Sequence, residues 1–306
     1  MPRTVAAKSA RMRQEREPVS APFAGIGAAS GACLDPETRD VYRKALQTLR
    51  AAGVEFMVGG AYALAPYTGV VRDTKDLDLF LRRRDCARAL GALEAAGFVP
   101  ELTFSHWLAK AYAGDRFIDL IFSSGNCVAP VDDQWFTNAV PGEVLGEPTL
   151  LCPPEEMIWS KAFIMERERY DGADVAHLFL ACAARLDWRR LLERFGQRWR
   201  VLLSHLILFG FIYPGERALI PDGVMAELTR RLRRESGRRA AAPAGRVCHG
   251  TLISRQQYLL DVTHGGYADA RLAPHGEMTA TEIADWTAAI SVDAQATPRP
   301  GDSNGG

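Results

Sequence analysis

Apolar residues recur at helical spacing in the first well-patterned stretch of the chain, with Val41, Ala45, Leu46 and Leu49 on one face. Asp35 followed by Pro36 supplies an N-cap and a proline at the first helical position, and Gly53 closes the segment. Val54 to Val58 predicts a short buried strand that Gly59-Gly60 ends, and Ala61 to Ala65 predicts a short helix limited by Pro66. From Asp76 to Leu81 polar and apolar residues begin to alternate, the period-two signature of a strand. Asp85 caps a predicted helix through Leu90 and Leu93 that ends at Gly97. Two more strands are expected over roughly 106–112 and 116–122, joined by the turn Gly114-Asp115. From Pro153 the pattern becomes helical, near 155–170, 173–184, 188–195, 199–211 and 224–234.

This order predicts an α+β fold, a mixed sheet with flanking helices followed by an α-helical domain. The expected organisation is a disordered arm over 1–34 carrying Arg3, Lys8, Arg11, Arg13 and Arg16, and a sheet domain over 35–152. A helical domain over 153–235, a Gly/Arg/Ala/Pro linker over 236–246, a segment packing back on the body over 247–294 and a tail over 295–306 complete it.

Composition narrows the class. The chain has 306 residues, 47% apolar and 24% charged, the balance of a globular protein, and its formal net charge is zero. No global field therefore points to nucleic acid or membrane. Six scattered cysteines (Cys33, Cys86, Cys127, Cys152, Cys182, Cys248) include no C-x-x-C pair, which argues against structural zinc and a disulfide framework and predicts free thiols. No apolar run reaches the length of a membrane span; the nearest, Val201 to Tyr213, reads as a buried helix. With no signal-like N-terminal run either, a cytoplasmic location is the default expectation.

The chemistry concentrates in three acids. In a strand, residues i and i+2 face the same way, so Asp76 and Asp78 project side by side. Two such anions repel unless a cation lies between them, and hard oxygen ligands suit Mg2+. A bare D-x-D also fits an exposed strand face with two solvated acids. Asp119, however, stands alone in the apolar run Phe117-Ile118-Asp119-Leu120-Ile121-Phe122, where a carboxylate is costly unless paired, metal-bound or at an open site. If the two strands are neighbours, three carboxylates can hold two metal ions about 3.5–4 Å apart. Gly59-Gly60, at a strand end that turns into a helix, would let backbone N–H groups approach a phosphate, or would simply make a turn. Arg72, with Thr74 beside it, could grip a phosphate or pair with Asp73.

The stretches V-G-G-A-Y-A-L, R-D-T-K-D-L-D-L-F and F-I-D-L-I-F together resemble the nucleotidyltransferase superfamily with a DNA polymerase beta-like fold. Within it the chain looks most like the minimal bacterial nucleotidyltransferases and the AbiEii-type toxin branch, over roughly residues 54–175. The resemblance implies Asp76 and Asp78 as metal ligands and Asp119 as third ligand or general base, with Gly59, Gly60, Arg72 and Thr74 at the nucleotide. Trp159-Ser160-Lys161-Ala162 followed by Arg169-Tyr170-Asp171-Gly172-Ala173-Asp174 is similar to that branch's K…D-x-x-D segment. It implies Lys161 on the triphosphate, oriented by Asp171 or Asp174. Read from residues alone, Lys161 is equally an amphipathic-helix lysine, and the two acids are equally first-turn residues of the next helix.

The implied activity moves a nucleoside monophosphate from an NTP, ATP among them, to a hydroxyl with release of pyrophosphate, using Mg2+, with two ions expected. RNA such as tRNA, a small molecule or a protein could be the acceptor. A silent nucleotide- or RNA-binding module, or a toxin with an antitoxin partner, are the alternatives. Arg189, Arg190, Arg194, Arg198, Arg200, Arg230, Arg231, Arg233 and Arg234 make the helical half locally basic, which could follow an RNA backbone or form solvated and ion-paired faces. Residues 250–258 and 266–271 carry enough polar variety to line a pocket or to pack.

Overall fold

The structure is a computed structural model that describes residues 34–72, 74–237 and 245–296. Nearly all of the expected arm, most of the linker and tail, and also Cys33 and Asp73, lie outside the described residues. Helix α1 (Pro36–Ala51) starts as expected, with the Thr38 N–H donating to Asp35 Oδ1 at 2.9 Å, and buries Tyr42, Ala45, Leu46 and Leu49. Strand β1 is only Met57–Val58.

Helix α2 (Gly60–Thr68) begins earlier than expected and runs through Pro66 instead of stopping there. A proline this late in a short helix forfeits one N–H bond. The turn around it is closed by Thr68 Oγ1 donating to the Leu64 carbonyl at 2.8 Å and by Gly69, at φ 76°, donating to Ala65 at 2.7 Å.

Strand β2 (Asp76–Phe80) leads to α3 (Cys86–Ala95), whose start Asp85 does not cap. Asp85 is already near-helical at φ −92° and ψ −9°, and its carboxylate accepts from Arg88 instead, at 3.0 Å. Next come β3 (Val99–Phe104), β4 (Leu108–Ala113), β5 (Arg116–Ile121), α4 (Asp133–Thr137), β6 (Val140–Val144) and β7 (Glu147–Leu151). These strands form one seven-stranded mixed sheet in the order β3-β4-β5-β2-β1-β7-β6, in which β2 runs parallel to β5 and antiparallel to β1.

Three of these strands are not expected from the pattern. β3 is an edge strand with Val99 66% exposed, so no buried face imposes alternation. The β6–β7 hairpin is masked by Pro141, Gly142 and Pro148, and it turns on Leu145-Gly146 with both residues at positive φ.

The helical half comprises α5 (Pro154–Lys161), α6 (Gly172–Cys182), α7 (Trp188–Phe195), α8 (Trp199–Ile212) and α9 (Asp222–Gly237). The long helix expected over 155–170 ends at Lys161. Residues 162–170 fold back instead, Met165 bridging to Tyr170 and the Asp171 N–H donating to Ile164 at 3.1 Å. α8 is only half buried: Leu202, Leu206 and Phe209 face inward, whereas Ile207 and Phe211 face out.

Strands β8 (Val247–Cys248) and β9 (Ala268–Asp269), with α10 (Leu259–Thr263) and α11 (Ala280–Ala296), make the last segment. It packs on the body through Asn126 Nδ2 donating to Leu252 O at 2.5 Å and Ser254 Oγ donating to Glu166 Oε2 at 2.8 Å. Thr251, Asp269 and Arg271 are buried against one another, with Thr251 Oγ1 and Arg271 Nη2 on the Asp269 carboxylate at 2.8 and 2.7 Å. These three polar residues pack against one another.

One hydrophobic cluster extends from Tyr42 to Ala270. The five described cysteines are free, and no described helix is long and apolar enough to cross a membrane.

Candidate active site

Parallel pairing of β2 with β5 sets Asp78 directly beside Asp119, with Asp76 two residues back on the same face. One carboxylate oxygen from each of the three lies within 4.8 Å of the others. Alternation buries Leu77 and Leu79 on the opposite face, which fixes the acids on the open side, and β1 holds β2 in place through Gly59 N–H donating to Asp78 O at 2.9 Å.

The glycine pair is required sterically. A Cβ on Gly60, which sits at φ 53°, would overlap the Asp78 carboxylate, and one on Gly59 would overlap the Phe80 ring. Gly60→Ala is therefore expected to cost stability through both the positive φ and the displaced carboxylate. Denaturant melts should show a loss of at least about 1 kcal/mol, because left-handed strain alone reaches that size. An unchanged midpoint would mean that α2 approaches Asp78 less closely.

Electrostatics follow from this crowding. Burial, then the charges of Asp76 and Asp119, push the Asp78 carboxyl up to about 7. Burial also raises Asp119, although Lys110 pulls against it: its Nζ lies 2.6 Å from Asp119 Oδ1. Thr74 Oγ1 donates to Asp76 Oδ1 at 2.5 Å and so fixes that carboxylate's rotamer. The Tyr62 hydroxyl is buried without a hydrogen-bond partner among the described residues, and burial followed by the Asp76 charge pushes its phenol up to about 12. Three hard oxygen donors, one of them poised between charge states, fit a divalent cation such as Mg2+.

Beside this cluster lies a second one. Lys161 Nζ sits 2.9 Å from both Asp171 Oδ2 and Asp174 Oδ2, Arg169 grips Asp171 at 3.0 and 3.1 Å, and Arg72 pairs with Asp174. Burial would lower the lysine's pKa, but Asp171 and Asp174 outweigh it and hold the value above the usual lysine range. Burial works against ionisation of Asp171 too, yet Lys161 and Arg169 bring it down to about 2. Lys161 and Arg169 also bear on Asp78 electrostatically, so the two clusters adjoin. Arg72 is thus ion-paired, but with Asp174 on α6.

Lys110 was not singled out in the sequence, and Arg169 and Tyr62 stood inside the quoted motifs without a role. The first was legible: counting outward from the Gly114-Asp115 turn pairs Ala113 with Arg116 and, three residues further, Lys110 with Asp119. For Arg169 and Tyr62 the signal was their place in those motifs, with no spacing that tied them to the acids.

Six of the nine arginines of the basic helical half are held in ion pairs. Arg190 is buried against Glu155 and Glu156, Arg194 bonds Glu156 and Asp132, Arg200 meets Glu235, and Arg230 and Arg231 both meet Glu227. Arg189 pairs loosely with Glu193, at 3.5 Å.

No family model matches the chain, and no curated protein matches it. Among solved structures it is similar to the solution structure of the antibiotic-resistance factor ANT(2'')-Ia, at 19% identity over 56% of this chain and 98% of that one, with a TM-score of 0.41. It is also similar to ANT(2'')-Ia in complex with adenylyl-2''-tobramycin, at 18% identity over 54% and 98% with a TM-score of 0.38. A third is the lincomycin-bound lincosamide antibiotic adenylyltransferase LnuA, at 13% identity over 46% and 95% with a TM-score of 0.34. At these identities and scores the likenesses do not bear on activity.

Proposed function

We propose that the chain is a nucleotidyltransferase that moves a nucleoside monophosphate from an NTP to a hydroxyl acceptor and releases pyrophosphate. The observation that carries this reading is the β2–β5 register, which gathers Asp76, Asp78 and Asp119 beside the glycine-led start of α2. Nothing in the packing of the fold needs three carboxylates in one place, and their mutual repulsion is a cost that a bound cation would remove.

Asp76, Asp78 and Asp119 would hold Mg2+, with two ions in the complex with nucleotide. When bound, Mg2+ would lower the pKa of the attacking hydroxyl and neutralise charge on the leaving pyrophosphate. Gly59 and Gly60 would let the N–H groups at the start of α2 face the phosphates, since the first N–H groups of a helix lack intrahelical partners. Thr74 keeps Asp76 in its rotamer. Lys161 and Arg72 would turn partly from Asp171 and Asp174 to the triphosphate, while those acids keep Lys161 oriented. The acceptor oxygen then bonds the α-phosphorus, the bond from that phosphorus to the bridging oxygen of pyrophosphate breaks, and Asp119, as third ligand or as base, would assist loss of the hydroxyl proton.

The acceptor hydroxyl belongs to a small molecule, a protein or an RNA such as tRNA; burial of Arg190 and Arg194 in ion pairs removes those two cations from the reach of a polyanionic backbone. The location we propose is the cytoplasm, where NTPs are available. The AbiEii-type affinity, and with it an antitoxin partner, rests on the sequence resemblance alone.

The test is transfer from the four α-labelled NTPs with Mg2+, using total tRNA, mixed metabolites and the chain itself as acceptors, beside the double variant Asp76→Ala, Asp78→Ala. Label incorporated by the wild type and lost in the variant is the expected result. No incorporation, with NTP binding that ignores the substitutions, would leave a binding module.

A further inference from the structure

Lys110 is fixed at the carboxylate cluster by the sheet itself. It is the cross-strand partner of Asp119 in the antiparallel β4–β5 ladder, its Nζ lies 2.6 Å from Asp119 Oδ1, and the Phe117 ring packs under the ammonium at 4.0 Å. Both side chains are largely buried, so the pair is shielded from salt and water. Lys161, Arg169 and Arg72, nearby, are held by Asp171 and Asp174. Lys110 is thus a cation in direct contact with the three-acid cluster, at its Asp119 end.

We propose that Lys110 stands in for the second metal ion while the enzyme waits, so that the resting site takes a single divalent cation and the second enters only with the triphosphate. The physical reason is twofold. The ammonium occupies one of the two Asp119 oxygens, and its charge repels a further dication at that end of the cluster. An incoming NTP brings negative charge of its own, which lifts that repulsion. Lys110 is thus a positioning residue acting through Asp119. This assignment rests on the nucleotidyltransferase reading of the same carboxylates.

The experiment counts Mn2+ on the full chain without nucleotide, by the electron paramagnetic resonance signal of free Mn2+ during titration at pH 8. The wild type should bind one ion per chain, Lys110→Met two, and Lys110→Arg, which keeps the positive charge, one. Addition of a non-hydrolysable α,β-methylene NTP should raise the wild type from one to two. A lysine needed only for packing would leave these counts unchanged. Two ions on the nucleotide-free wild type, or one on a Lys110→Met chain that melts cooperatively, would overturn the proposal and leave the carboxylate site standing. If Lys110→Met does not fold, Lys110→Gln is read in its place by the same criterion. No Mn2+ on the wild type, with or without the analogue, would overturn this proposal and the metal-dependent reading together.

Discussion

Asp78→Asn is expected to cut nucleotidyl transfer by about a thousandfold or more, on the scale of losing a charge that acts directly on the reacting groups. The same substitution is expected to raise the melting temperature of the metal-free chain at pH 8. The two effects share one cause. Asp78 is wedged between Asp76 and Asp119 under α2, and its carboxyl sits at about 7 against an ordinary value near 3.8. Between those two values the folded state keeps a proton that the unfolded state has released. Asp78's contribution to stability therefore falls as pH rises from about 4 to about 7, at about 1.4 kcal/mol per pH unit, and then levels off. Asparagine keeps the shape and removes the charge, so the variant should lose this slope. Mg2+ should restore stability to the wild type at pH 8 and do much less for the variant. Melting curves at pH 5 and pH 8, with and without Mg2+, measure all of this. A stability gap between wild type and variant that is the same at both pH values, with a wild type indifferent to Mg2+, would mean that the three acids are not crowded together in solution.

The largest expected loss of stability lies away from the site. Glu155 and Glu156 on α5 are fully buried, and Arg190 of α7 meets both, with Nη2 2.6 Å from Glu155 Oε2 and Nη1 2.7 Å from Glu156 Oε2. Arg194 extends the network to Asp132, at 2.6 Å, and the Asp187 N–H donates to Glu155 Oε1 at 2.7 Å. Arg190→Met leaves buried Glu155 with the Asp187 N–H and no cation, and Glu156 with Arg194 alone, and should cost about 3–5 kcal/mol, the usual penalty for breaking a buried pair from one side. The denaturant midpoint should fall with an unchanged slope. Arg189→Met, one residue away with an exposed side chain, should shift stability by about 0.5 kcal/mol or less. If the two variants behave alike, the α5–α7 contact is wet and the arginines of this face are open to other partners.

That contrast shows where the sequence stops. Arg189 and Arg190 are the same residue type side by side, and a count of basic residues treats them alike. Which of them turns inward depends on where α5 lies, and two consecutive glutamates at the start of a helix give no local sign that they are buried. Similarly, β3, β6 and β7 are strands because of what they pair with. Their prolines, glycines and exposed positions erase the alternation that marked β2 and β5.

The sequence by itself determined the local geometry of the site. Period-two spacing puts Asp76 and Asp78 on one face, a single acid interrupts the apolar run around Asp119, and two glycines stand where a strand turns into a helix. It also contained the Lys110–Asp119 pairing, since a hairpin turn fixes the register of the strands it joins. Only the tertiary structure decided that β5 lies parallel to β2 with Asp119 level with Asp78, and that Lys161, Asp171 and Asp174 close up beside them. No turn links two parallel strands. Their register is set by the packing of everything between them, a property of the whole core that no local pattern carries.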